Sequence, residues 1–419
     1  MISLELNEIN KKWVEYYTSK NKLKNFKKLF KNHYLVNTTS EEEYHELEPW
    51  VQWPSFYSGQ SFHEHKCFHI GDFYKNKTIN IYQDIQESGK NVLSISPMNC
   101  YFEENEDSIF IPDPWESFTT KDKGFVSKLY SAIRSKVNSN ATSNGKFSDN
   151  AILLFGLLKF ARFKNYFKYI KYILLSLRFK WSQAIVLDLL LFDLFMYFKR
   201  KNTYSYSSIF LNAGAHIQHH HLYDSNCYDG HHYNPEDYSP AAKSSIDPIF
   251  EILSIYDNMV GEIVGTKENF MVTTGLQQVE NQQPYCQYRF KDHSKSLKKI
   301  GLQFKNIVAR MSRDFTIYFE DREQMLKNVE IMRNCKITDK LLFELDEDKE
   351  SNSIFVKIGW NGNQDEFMNV NYDSKIFDFR KDIALVSIEN SIHIGSGWHV
   401  RNFSKPKQDT DVPIWNLKK

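Results

Sequence analysis

The chain reads as an α/β protein with a mostly parallel central sheet and helices on both faces. Three observations predict this. Short apolar runs suited to buried strands recur at Ile2 to Glu8, Val92 to Ile95, Ser208 to Leu211, Phe270 to Thr274, Ile354 to Ile358 and Ile383 to Ile388. Several of them stop on polar residues, and helical periodicity fills stretches between them, the alternation expected of a doubly wound sheet. At 419 residues, 41% hydrophobic and 15% aromatic, the chain can bury a large core.

Ile2 to Glu8 alternates, which places Glu5 on a less buried face, and Asn7, Glu8 and Asn10 follow at the strand's end. Asn21 to Asn32 is an amphipathic helix with Leu23, Phe26 and Leu29 inward and lysines in solvent. Val92 to Ile95 follows a turn at Gly89 and empties into Ser96-Pro-Met-Asn99. Ile109 to Trp115 holds two prolines and reads as a loop, and polar 138–149 reads as a linker. Between Ala151 and Phe198, charges from Lys159 to Asp193 interrupt every apolar span long enough to cross a bilayer. The segment reads either as buried helices of an insertion or as a basic, aromatic face lying on an anionic membrane.

The next stretch carries the most information. The apolar run Ser208 to Leu211 ends on Asn212, relaxes through Ala213-Gly-Ala215, and delivers His216, His219 and His220. In a helix these positions are i, i+3 and i+4, so three imidazoles share one face at the C-terminal edge of a strand, where α/β sheets gather ligands. Cys227 to Pro240 is a polar loop suited to covering a site, Pro248 to Val264 is helical, and Glu320 to Cys335 is a helix. Arg310 and Arg313 flank Met-Ser ahead of Asp314, a pair able to grip an anionic group or to serve a structural ion pair. Trp50 and Trp53 beside Gln52 suit stacking on a sugar or base, or the core.

A net charge of +1 argues against bulk electrostatic binding of nucleic acid. Five scattered cysteines without a CxxC pair give no disulfide framework or zinc finger and suit a reducing compartment. The opening residues lack the basic start and apolar core of a signal peptide, so a cytoplasmic location is expected.

The order of the motifs resembles the alkaline phosphatase superfamily, in its nucleotide pyrophosphatase/phosphodiesterase-like branch. Trp53-Pro-Ser-Phe-Tyr-Ser-Gly59 with His65 and Gly71 resembles its W-P-S-x-x-T-G…H-G block. Phe210 to His216 resembles its strand ending in D-x-x-x-H, Met271 to Gly275 stands where it has D-H-G, and His393 where its last metal histidine falls. The blocks Leu6-Asn-Glu-Ile-Asn10, Leu47 to Trp53, Leu211 to His220, Thr274-Gly-Leu-Gln277 and Arg310 to Asp314 are similar to those of a bacterial branch found among polysaccharide-associated genes.

The departures define the expected site. The resemblance puts Asn7, Asn212 and Thr273-Thr274 where the superfamily has acidic and histidine ligands, and Pro49 where it has its Thr or Ser nucleophile. Of its usual ligands only His216 and His393 survive, so a two-zinc phosphatase with a Thr nucleophile is not supported. The resemblance implies a rebuilt site that could hold one divalent metal (Zn²⁺, Mn²⁺ or Fe²⁺) on His216, His393 and Glu8, with one of His219 or His220 as a further ligand or Glu48 as the carboxylate; metal-free acid/base catalysis by the same groups is the alternative chemistry. Glu48, His219 and His220 would do acid/base work, with Asn7, Gln52, Asn212, Thr274, Arg310 and Arg313 against an anionic substrate. The expected activity is transfer or hydrolysis of a phospho- or sulfo-ester type group, of a saccharide or nucleotide-sugar-like substrate, without a covalent intermediate on Thr or Ser. The alternative is a catalytically silent binding or assembly protein for surface-polysaccharide synthesis. The expected division is 1–119 and 206–419 for the α/β domain, with a helical insertion at 120–205 that offers the peripheral membrane face near 150–200.

Overall fold

The structure, a computed structural model, describes the chain except residues 42, 117–120, 122, 139–146, 237, 311–312, 349–350, 363, 405–410 and 418–419. Most of the expected linker at 138–149 therefore lies outside the described residues. The chain forms two compact units. The first comprises Met1–Tyr130, Leu153–Asn281 and Asn390–Lys419, and the second comprises Ser131–Ile152 and Gln282–Glu389.

The first unit is built on an eight-stranded, mostly parallel sheet. Its strands are β1 (Ile2–Leu6), β2 (Tyr34–Thr39), β3 (Val92–Ile95), β4 (Ile109–Ile111), β5 (Tyr206–Leu211), β6 (Phe270–Thr273), β9 (Ser396–Arg401) and β10 (Val412–Pro413), with a separate hairpin of β7 (Gln277–Glu280) and β8 (Ser391–Ile394). The sheet order is β10-β2-β9-β6-β1-β5-β3-β4. β1 pairs in parallel with both β5 and β6, and β9 runs antiparallel to its neighbours β2 and β6. Strands covered on both faces read as continuous apolar runs, and β3, β5 and β6 are buried throughout.

Two expectations are corrected. Glu5 lies not on a less buried face but wholly inside, because β1 is central and both its faces are covered. Its carboxyl accepts from Ser3 Oγ at 2.9 Å and from Tyr57 Oη at 2.7 Å. The span from Ile109 is not all loop. Ile109-Phe-Ile111 pairs with β3 as an edge strand, because the apolar triplet gains burial before the first proline.

The helices that matter here are α1 (Lys11–Ser19), α2 (Lys24–Asn32), α3 (Pro49–Ser58), α4 (Tyr166–Leu175), α5 (Ser182–Lys201), α6 (Ala213–His221) and α7 (Pro248–Val264). The last of these follows from local chemistry. α7 has Pro248 at its first position and Asp247 accepting from Phe250 N. Among the described residues no helix is long and apolar enough to cross a membrane.

The second unit has its own core, with Phe290, Phe315, Ile317, Met325 and Met332 at its centre. Its main sheet is antiparallel, in the order Phe343–Asp348, Ser353–Ile358, Asp314–Tyr318, Asn306–Ala309. The expected helix at 320–335 is present as Arg322–Arg333.

Burial pushes Glu5 up from 4.5 to about 7, against the lowering effect of its Tyr57 and Ser3 hydrogen bonds. A raised carboxyl makes folding most favourable below 4.5 and progressively less so as pH rises toward 7. The wild type should therefore lose up to about 3 kcal/mol across that window from this group. Glu5→Gln should remove that part of the slope in denaturant titrations at pH 5 and pH 8. An unchanged slope would mean that Glu5 is ionised in the core.

Candidate functional site

The C-terminal ends of β1, β5 and β6 lie side by side, so Asn7-Glu8, Asn212 and Thr274 meet at one edge. Glu8 sits just past β1 in the left-handed region, φ 60°, which is uncommon for a residue with a side chain. Its backbone is held on all sides. Glu8 N donates to Thr274 O at 3.1 Å, and Glu8 O accepts from Gln278 N at 3.3 Å and Gln218 Nε2 at 2.9 Å.

α6 carries the histidines, and its N-terminus is secured by a buried acid. Asp188 of α5 accepts from Ala213 N at 2.9 Å and from Tyr256 Oη at 2.6 Å, and Tyr256 Oη in turn accepts from Gly214 N at 2.9 Å. Burial raises Asp188 to about 7, while these hydrogen bonds pull the other way. Gly214 is needed here because a Cβ would come within 2.3 Å of Ile9 Cδ1 and 2.8 Å of Tyr256 Cε2. Gln218 Oε1 accepts from Asn10 N at 3.0 Å and locks the helix against the end of β1.

Three groups converge. His219 Nε2 and His393 Nε2 are 3.0 Å apart, and each lies 3.2 Å from Glu8 Oε2. The opposite ring nitrogens face acceptors. His219 Nδ1 is 3.0 Å from Ser391 O, and His393 Nδ1 is 3.6 Å from Glu48 Oε2. With His219 Nδ1–H directed to a carbonyl, as outer hydrogen bonds orient metal-binding histidines, and His393 Nδ1 in ion-pair range of a carboxylate, both Nε2 atoms turn lone pairs toward the same point as Glu8. A tetrahedral ion with bonds of about 2.0–2.1 Å would separate its ligands by roughly 3.3–3.4 Å. The observed triangle is near that size, so the donors fit a divalent ion. Among the described residues they form the one group of three or more His, Cys, Asp or Glu able to hold a metal, and it contains no thiol.

Gln278, on β7 opposite His393, completes the frame. Its Oε1 accepts from Ser391 Oγ at 2.6 Å, and its Nε2 donates to Glu8 Oε2 and to Ala215 O at 3.2 Å. Asn7 braces the other side. Its Nδ2 donates to Glu8 Oε1 at 2.9 Å and Asn212 Oδ1 at 2.7 Å, and its Oδ1 accepts from Trp53 Nε1 at 2.8 Å. Burial opposes ionisation of Glu8, but the charges and hydrogen bonds of His393 and His219 outweigh it and hold the carboxyl well below its usual range. Burial likewise disfavours protonation of His393, yet Glu8, with Glu48 adding to it, raises its pKa. His220 is driven the other way, by burial and then by His216, His219 and His221, and stays neutral.

The other expected residues fall as follows. His216 is exposed, with its ring 4.5 Å from that of His220, and is outside the converging triad. Thr274 Oγ1 donates to Trp398 O at 3.3 Å and accepts from Trp398 N at 3.1 Å, which commits it to the sheet. Gln52 is fully buried and donates to Glu46 O at 2.9 Å. Trp53 is core. Arg310 and Arg313 belong to the second unit. There Arg310 donates to Thr316 Oγ1 and Tyr318 Oη, and Arg313 donates to Ile358 O. Residues 311–312 between them lie outside the described residues. The loop 227–240 is tied to α6 through Asn234, whose Nδ2 donates to His220 O at 3.1 Å.

Sequence reasoning passed over the roles of Gln278, Ser391 and Asp188. The only signal for Gln278 was a polar pair following the Thr-Thr-Gly end of β6. His65, part of the Trp-Pro block, lies 2.9 Å from Ser55 Oγ, but the two do not form a nucleophile and base. Its Nδ1 accepts from Cys67 N, so the neutral ring must carry its proton on Nε2 and donate to Ser55. Burial lowers His65 to about 4 and keeps it neutral.

No family model and no curated protein matches the chain. Among solved structures it is similar to phosphonoacetate hydrolase from Sinorhizobium meliloti 1021 in complex with phosphonoacetate, at 10% identity and TM-score 0.45, covering 100% of this chain and 93% of that one. It is also similar to ectonucleotide pyrophosphatase/phosphodiesterase 5. The murine protein has 9% identity and TM-score 0.36, the human one 9% and 0.38, each covering 100% of this chain and 93% of the other. Likeness at this level carries nothing about chemistry, which rests on the residues above.

Two outcomes follow. Gly214→Ala should destabilise the protein by about 1–3 kcal/mol in thermal or denaturant unfolding, since the Tyr256 ring that holds Asp188 would have to move. In chelator, the Glu8–His393 pair should stabilise the protein fully between pH 4.5 and 6.5. That contribution falls away in acid as Glu8 protonates and in base as His393 loses its proton. Comparing wild type with His393→Gln across pH isolates the effect, and parallel profiles would show that no such pair exists.

Proposed function

We propose that Glu8, His219 and His393 hold one divalent metal, and that the site transfers or hydrolyses a phospho- or sulfo-ester type group without a covalent intermediate on the protein. The observation that carries this reading is the pair of imidazoles aimed Nε2-first at one carboxylate oxygen, each with its Nδ1 against an acceptor. A metal bound there would supply positive charge to polarise an ester oxygen and to make a water more acidic. The absence of thiolates suits Zn²⁺, Mn²⁺ or Fe²⁺.

The chain's own groups divide the remaining work. Gln278 and Asn7 fix the Glu8 carboxylate through its two oxygens, so it cannot rotate away. Glu48 stands against His393 Nδ1 and orients that ring. His220, held neutral beside the triad, is suited to accept a hydrogen bond from an attacking water or hydroxyl and orient it rather than to hold its proton. Asn212 gives its Oδ1 to Asn7 and keeps its Nδ2 for an anionic oxygen of the substrate. Pro49, at the first position of α3, supplies no nucleophile, which favours direct transfer. That same residue supports the second reading, a silent binding or assembly protein. The saccharide or nucleotide-sugar character of the substrate, and a role in polysaccharide synthesis, rest on the sequence resemblance.

Elemental mass spectrometry should find about one equivalent of transition metal in the wild type, lost in His219→Ala and His393→Ala with the fold intact by circular dichroism. His220→Ala should keep the metal and lose turnover of phospho- or sulfo-esters by about a hundredfold or more. No metal after incubation with Zn²⁺ or Mn²⁺ would overturn the reading. Metal without turnover of any such ester would leave the binding protein.

A further inference from the structure

We propose that α4 and the segments flanking it form a docking face for an anionic lipid surface, lying in the plane of the membrane interface. This goes beyond the metal-site reading and does not depend on it.

Large apolar side chains stand in solvent here to an unusual degree. Phe163 is 83% exposed, Phe167 82% and Leu177 85%, and Ile170 and Leu174 between them are also exposed. They recur at three- and four-residue spacing, so they project from one face of the helix and its two ends. The opposite face is fixed. Tyr169 and Tyr172 point inward, where their hydroxyls donate to Asp193 at 3.0 Å and Glu251 at 2.7 Å. The apolar face therefore cannot turn toward the core without breaking these bonds. The preceding helix adds Leu158, also exposed, to the same stretch of sequence. Soluble proteins seldom leave so many neighbouring apolar side chains uncovered without a use.

Charge selects the occupant. Between 150 and 187 there are seven Lys or Arg residues and no Asp or Glu. Asp193, Glu251 and Glu262 pair with Arg162, Lys164 and Lys171, which leaves a net excess of four positive charges. The four cations left over are Lys159, Lys168, Arg178 and Lys180, of which Lys168 lies on the flank of the apolar face within α4 and Arg178 just past its C-terminal end. A second copy of this chain would bring the same positive flank against itself. An anionic bilayer satisfies both halves of the surface, taking the protruding rings and aliphatic chains below its headgroups and pairing the lysines with them.

The full chain should co-sediment with phosphatidylcholine vesicles that contain phosphatidylserine, and added salt should weaken this binding. The double variant Phe167→Ser/Leu174→Ser should bind at least about tenfold more weakly while keeping wild-type circular dichroism and metal content. Should that variant misfold, Lys168→Glu/Arg178→Glu, which leaves the apolar face untouched, should weaken binding to the anionic vesicles by itself. Wild-type protein that stays in the supernatant would overturn the proposal, and so would equal binding to pure phosphatidylcholine. A concentration-dependent dimer that the same substitutions dissolve, without vesicle binding, would assign the face to a second copy instead.

Discussion

Two imidazole nitrogens 3.0 Å apart, with one carboxylate oxygen 3.2 Å from each, cannot rest together without a cation or a shared proton between them. Electron pairs crowded into that space repel, and the surrounding structure is arranged to hold them there. β1 occupies the middle of the sheet so that Glu8 emerges between β5 and β6. Its left-handed backbone turns the carboxylate toward α6 and the β7/β8 hairpin. Asp188 anchors one end of α6, and the hydrogen bond from Asn390 N to His219 O, 2.7 Å long, anchors the other.

The polar groups behind this site are as closely packed as the apolar core. Gln278 uses both ends of its amide, and Asn7 links Glu8, Asn212 and Trp53. A buried amide left half satisfied would be costly, so each such residue is determined by its neighbours rather than by its own propensity. Glu5 and Asp188 follow the same logic in a different form. Burial raises both to about 7, against hydrogen bonds that are all donated to the carboxyl and favour its ionised form.

With amides at Asn7 and Asn212, negative charge at these strand ends comes from Glu8 and Glu48. One carboxylate and two neutral imidazoles balance a single divalent ion more readily than a pair of them. The arginines at 310 and 313 satisfy hydrogen bonds within the second unit and take no part in that balance.

What the sequence by itself determined was local. Apolar runs that stop on polar residues marked β1, β3, β5 and β6, because strands buried on both faces are mostly apolar and take a residue such as Glu5 only where hydrogen-bond partners meet it. The step from Leu211 through Asn212 and Gly214 to the histidines was legible because a strand end, a small-residue turn and helical spacing all lie within a dozen residues. Tertiary structure decided everything that joins distant segments. His219 meets His393 across 174 residues, and helical periodicity alone could not say that His216 faces solvent while His219 faces the hairpin. Glu5 alternates like a surface residue, yet the sheet order buries it. The separate unit of Ser131–Ile152 and Gln282–Glu389 left no composition shift to mark it, because it joins segments far apart in the chain. Pairing energy depends on neighbours brought together only by the fold, and one chain's sequence does not print those neighbours side by side.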